Sequence, residues 1–181
     1  NWVPQRIYYW PGSNRQLRFL AWAPTDAVFQ SVPNSPNTTT LQYTTPAEAK
    51  NQRDLVAAAT DFIDSPANNG TCTPVSLNFK HLCTAVIIKT GETMTAGTIK
   101  SVSLKGVKNS GTYDMVNSAW TLTDSKADFT ISPNQATTST TPNGTDLNAG
   151  ESTFMLLPQT LGADSKLEVE FHDNISGKDR I

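Results

Sequence analysis

The chain is poor in the residues that most often carry chemistry. Its 181 residues include two cysteines, two histidines and only 17% charged side chains. Two cysteines, Cys72 and Cys83, cannot form the disulfide framework of a small secreted scaffold. An extended link between them would span roughly 36 Å, against the ~6 Å between the Cα atoms of a disulfide. Free thiols are therefore expected. Charge of one sign is also missing: 14 Lys+Arg against 16 Asp+Glu give a net charge of -2 with no run of like charge. That excludes the basic stripe needed to neutralise phosphates and a polybasic membrane anchor. No apolar run reaches the ~18 residues of a membrane-spanning helix. The opening "NWVPQRIYYW" lacks the basic start and apolar core of a signal peptide, which points to a processed or excerpted chain.

Threonine, serine and asparagine take the surface-type positions, and apolar residues recur mostly with period two. Short β-branched polar side chains suit the outer face of a sheet, and the alternation is that of strands. Pro11-Gly12 ends "IYYW" with a turn pair. "LRFLAWAP" is apolar on both faces and reads as a covered strand. "DLVAAAT" (54–60) also reads as a strand, because "DSPANNG" follows too soon for a helix. From 75 to 90, Val75, Leu77, Phe79 and His81 share one face. From Leu82 to Ile88 both faces become apolar, so Val86 and Ile88 are expected in the core with Cys83, Ala85 and Ile87. "TIKSVSLKG", "GTYDMV", a piece around Trp120, "ADFTIS", "STFMLLPQ" and "KLEVEFH" complete the set. About nine short strands with turn signals between them indicate an all-β antiparallel sandwich with little helix. A chain of this size buries about 70% of its unfolded surface and needs no staples.

The candidate chemistry is thin. His81 and Cys83 are two apart and would point the same way on a strand, but a metal needs further ligands. Cys72 and His172 are the remaining candidates, without zinc spacing. A nucleophilic Cys83 needs a cation or helix end to lower its pKa, and the surrounding run is apolar. No Gly-x-Ser-x-Gly elbow or phosphate loop occurs. Glu168 and Glu170 alternate with Leu167, Val169 and Phe171, the pattern of a solvated strand face. Trp10 and Trp22 read as core, while Trp2 and Trp120 stay open between core and a sugar-stacking platform. No catalytic, cofactor-binding or metal-ligating residue is assigned, and no enzyme activity is expected.

The motifs "IYYWPG", "RFLAWAP", "DLVAAAT", "VSLNFKHLCTAVIIK", "IKSVSLKGVKNSGTYDM" and "FMLLPQTL…KLEVEF" stand in an order that resembles the fimbrillin-like proteins of Bacteroidales. The Val-x-Leu-x-Phe-x-His and Leu-Leu-Pro-Gln segments carry most of the likeness. The resemblance implies a transthyretin-like sandwich, made as a lipoprotein precursor and exported through the outer membrane to the cell surface as a fimbrial subunit. It implies partners that are other subunits, joined when a strand of one completes an open sheet edge of the next. It also implies that residues 1–172 form a first domain lacking its earliest strands, and that 173–181 lead toward a second one. Arg6 and Arg180 are near the ends and are read as ordinary surface arginines rather than cleavage points. Two other functions compete. A glycan-binding module would show two exposed aromatics in a shallow groove bordered by Asn and Asp. A surface hydrolase would show a histidine and a carboxylate converging in one pocket. The fimbrial reading adds one structural demand: a sandwich missing a strand leaves apolar surface and unpaired backbone groups at an edge.

Overall fold

A computed structural model describes residues 9–25, 29–35, 37–66, 74–138 and 144–181. Regular structure among them is β, apart from two short 3-10 turns at Ala49–Asn51 and Gly150–Ser152. The spine of the first layer is a strand that nearly runs through two sheets, β8 (Gly97–Lys108) followed by β9 (Ser110–Asp114). The intervening Asn109 keeps both flanks joined: its N–H donates to Ser125 (3.1 Å) and its carbonyl accepts from Thr45 (2.7 Å). One edge of the spine pairs with β10 (Ala119–Leu122), β11 (Lys126–Ile131) and β12 (Gln135–Thr137). The other edge pairs with β3 (Thr40–Thr44) and β14 (Lys166–Asp173). A short β15 (Lys178–Arg180) lies outside β14.

The second layer is built from shorter pieces. β2 (Leu20–Ala23), β4 (Val56–Ala59) and β6 (Lys80–His81) form one antiparallel ladder. β1 (Gln16–Leu17) pairs with β5 (Ile63–Asp64), and β7 (Thr84–Val86) pairs with β13 (Phe154–Leu156). Alternation fills the space between the layers. Leu41, Tyr43, Leu55, Ala57, Leu82, Tyr113 and Met115 make one cluster. Leu104, Val107, Phe129, Phe154 and Leu156 make a second. Ile99, Val102 and Leu147 make a third. Leu156 and Leu157 are consecutive yet both buried, because the chain leaves the ladder at Leu157 and delivers it to the first cluster. Pro158, which cannot donate to a ladder, follows at the point where the strand stops.

The all-β antiparallel sandwich is as expected, and "DLVAAAT" contributes β4. Strands outnumber the nine anticipated because several runs are interrupted and change partner. "LRFLAWAP" breaks at Arg18 and Phe19, where pairing passes from β5 to β4. The 75–90 run is broken further. Residues 74–79 join no ladder, and Leu77 and Phe79 are about two-fifths exposed.

The two-sided reading of Leu82–Ile88 is wrong. Leu82 is buried and Val86 and Ile88 pack half-buried against the core, but Ala85 is exposed and Ile87 is 50% exposed. The outward face of β7 meets no further layer among the described residues, so its apolar side chains are left in solvent. Residues 173–181, expected to lead toward a second domain, turn back as a hairpin whose second arm is β15. Asp173 holds that turn by accepting from the N–H groups of Ile175 (2.9 Å) and Ser176 (3.3 Å) and from the Ser176 hydroxyl (2.8 Å).

Candidate functional site

The residues singled out in the sequence do not converge. His81 is on the short β6, with its side chain 74% exposed, and its Nδ1 lies 2.8 Å from an Asp54 carboxylate oxygen. Cys83 is half-buried and free. Burial pushes its thiol up to about 12, with Asp54 adding to the rise and the backbone bond to Leu55 opposing it. A thiolate nucleophile needs the opposite shift. His172 sits on β14 with Nδ1 2.7 Å from Asp179, across the β14–β15 pair. Neither histidine lines a described cavity, and no group of three or more metal-ligating side chains occurs among the described residues. Cys72 and Trp2 lie outside the described residues. Glu168 pairs with Lys105 (2.6 Å) and Glu170 accepts from Ser101 (3.2 Å), so both belong to the polar outer face of the spine sheet.

The tryptophans act mainly in packing. Trp22 and Trp120 border the first cluster, and Trp120 Nε1 donates to the Leu82 carbonyl across the layers (2.9 Å). Trp10 meets Phe19 edge-on at 6.1 Å. The exposed aromatic Phe62 has one face covered by the Arg18 guanidinium, 4.2 Å from the ring centre.

The geometry that stands out is a set of side-chain amides replacing missing strand residues. β14 begins at Lys166 opposite Lys105 and β3 ends at Thr44 opposite Ser110, which leaves the Lys108 backbone without a described strand on that edge. Gln159 fills the gap: Oε1 accepts from the Lys108 N–H (2.9 Å) and Nε2 donates to the Lys108 carbonyl (2.8 Å). Asn148, fully buried, does the same for the chain leaving β7. Its Oδ1 accepts from Ile88 N–H (2.6 Å) and its Nδ2 donates to the Val86 carbonyl (2.8 Å). Gln52 accepts from Met155 N–H (2.6 Å) and donates to the Pro46 carbonyl (2.9 Å). Each amide satisfies backbone groups that would otherwise be costly.

Between these plugs the sandwich is open. A cavity of about 380 Å³ is lined mainly by apolar residues from both layers, among them Val86, Ile88, Leu104, Val107, Leu161 and Leu167. Leu161 is 52% and Leu167 57% exposed, so the mouth itself is apolar. The strands beside it have free edges. Among the described strands β7 pairs with β13 alone, and the outer edge of β14 is covered only at Phe171–Asp173. Sequence reading did not locate this cavity. Leu161, an isolated leucine in a polar loop, was the available signal. The exposure of Leu167 was hidden by its regular alternation with Glu168 and Glu170.

No helix among the described residues is long and apolar enough to cross a membrane. No curated protein and no solved structure matches the chain significantly. A family model described as fimbrillin-like does match, over residues 1–179, in agreement with the order of motifs along the sequence and with the all-β sandwich. On that match, which spans nearly the whole chain, the protein belongs to the fimbrillin-like family.

Proposed function

We propose that the chain is a cell-surface fimbrial subunit, of a Bacteroidales lipoprotein type, that assembles by accepting a strand from a neighbouring subunit. The observation that carries this reading is the open apolar cavity between β7 and β14, with a free strand edge on each side. An inserted strand gains backbone hydrogen bonds along an edge and places alternate side chains in the cavity. Family membership supports a structural role rather than catalysis. In this reading the sandwich is the first of two domains. The hairpin at 173–181 then lies at the junction rather than forming a slack linker.

The test uses a synthetic peptide alternating Val and Thr, roughly ten residues long, the upper end of ordinary strand length. A ligand that binds only the folded state raises the melting temperature with its concentration. The Val/Thr peptide should raise it for the wild-type chain and not for Leu161→Asp/Leu167→Asp. Both leucines are more than half exposed, so the double variant leaves the core intact. No shift for the wild type, or an equal shift for the variant, refutes strand acceptance at this cavity. Immunogold labelling of the source cells tests the fimbrial location separately: label confined to the cell interior would refute it.

A further inference from the structure

Building on the strand-acceptor reading, we infer that β15 is a placeholder on the acceptor edge, displaced when the donor strand of a neighbouring subunit zips along β14. The inner edge of β14 is paired with β8 from Lys166 to Asp173. Among the described residues its outer edge is free beside the cavity and blocked only where Phe171, His172 and Asp173 face Arg180, Asp179 and Lys178. A donor entering beside Leu167 and continuing along the edge runs directly into β15.

The hold on β15 is weak along the arm and firm at its root. All three β15 residues are exposed, and Ile175 and Ile181, beside it in the chain, are 81% and 88% exposed. The arm therefore buries no large apolar side chain. Polar contacts fix it instead: the Lys100 Nζ–Asp179 ion pair at 2.8 Å, the His172 Nδ1–Asp179 hydrogen bond at 2.7 Å and the Arg180–Asp173 ion pair at 3.0 Å. Contacts as exposed as the two to Asp179 contribute little, and salt screens the charged one. The turn is different, because the Asp173 carboxylate accepts from Ile175 and Ser176, which stay in place when Arg180 is lifted. Lifting the arm thus needs only the loss of three strand pairs and their ion pairs while the turn stays formed. A donor regains those pairs and adds the ladder along Lys166–Glu170. Until then, a short, charged, exposed strand covers part of an edge that would otherwise invite unspecific pairing.

The occupant is an extended segment of another subunit with alternating apolar side chains, since the cavity walls are apolar and the edge offers backbone groups. Locking the arm tests the displacement. His172 and Asp179 are directly opposed, so His172→Cys/Asp179→Cys in a Cys72→Ser background can be joined by oxidation. Binding of the Val/Thr peptide should be at least tenfold weaker for the oxidised than for the reduced form. Asp179→Asn, which loosens the arm without a bond, should bind more tightly than wild type. Hydrogen exchange supplies an independent readout: amides of Lys178–Arg180 should lose protection when the peptide binds. Equal binding by oxidised and reduced forms, with β15 protection unchanged, overturns the placeholder and leaves the cavity as the acceptor. No binding by any form overturns both.

Discussion

Replacing Gln159 with Ala should destabilise the fold by about 2 kcal/mol. The loss starts from the bonds its amide makes: to Lys108 N–H at 2.9 Å, to the Lys108 carbonyl at 2.8 Å and to the Leu157 carbonyl at 3.1 Å. A typical intramolecular bond nets about 1 kcal/mol, and a buried group left unpaired costs about 1–3 kcal/mol. Two effects pull the sum down. Gln159 is only half-buried, so water can reach part of the gap, and freeing a long side chain returns about 1 kcal/mol of entropy. For a chain of this length, about 2 kcal/mol lowers the melting temperature by roughly 4–8 °C. Gln159→Glu separates hydrogen bonding from packing. It keeps the shape and the acceptor but loses the donor, and sets a carboxylate against two carbonyl oxygens. At neutral pH it should be at least as unstable as the alanine variant, recovering below about pH 4 as the acid protonates and can donate. Urea unfolding of the three proteins, with slopes compared to check that the denatured state is unchanged, decides the matter. An alanine variant within about 0.5 kcal/mol of wild type, the range of ordinary surface changes, together with a neutral glutamate variant, would refute the plug.

Phe129→Ala removes a fully buried ring that meets Phe154 at 6.1 Å; a loss of about 3–5 kcal/mol is expected in the same assay. Gly97→Ala should disrupt the β8–β14 register, because a Cβ there collides with the His172 carbonyl and the Phe171 ring. A loss of about 1–3 kcal/mol, typical of overpacking, should appear with lowered exchange protection in β14. The hydrogen bonds from Ser176, Ile175 and Arg180 hold the Asp173 carboxyl at about 2, against burial. A carboxyl lowered in the folded state stabilises it above the unfolded pKa of about 4 and stops doing so as pH falls toward the folded value. The stability gap between wild type and Asp173→Asn should therefore close between about pH 4 and 2; a gap constant over that window would contradict it. Cys83, with its thiol pushed up to about 12 by burial, should resist alkylation at neutral pH in the native protein and react on unfolding.

The layers were legible in the sequence because alternation writes the inward face directly. Leu41 and Tyr43, Val102 and Leu104, and Leu55 and Ala57 are all buried at a spacing of two. What alternation could not supply was the identity of a strand's neighbours. Val86, Ile87 and Ile88 read as a covered strand, yet coverage depends on a layer that distant sequence must provide, and among the described residues none lies over Ile87. The amide plugs were illegible for a related reason. Gln159, Asn148 and Gln52 look like ordinary polar loop residues, and their meaning arises only where two strands end short of one another. The same gap in pairing made the apolar cavity invisible. Its walls come from β7, β8, β13, β14 and the loop bearing Leu161, and no local pattern links those segments.

The spine from Gly97 to Asp114 also has a mechanical consequence. Because it is paired on both edges along most of its length, tension applied along its axis must shear many hydrogen bonds at once. β15 has three register pairs at the end of a hairpin, and a pull on its free end opens them one after another. The same sandwich is thus stiff along one line and peelable at one corner. In a filament whose subunits are joined by strands along β14, load would pass straight to the spine and bypass the displaced β15.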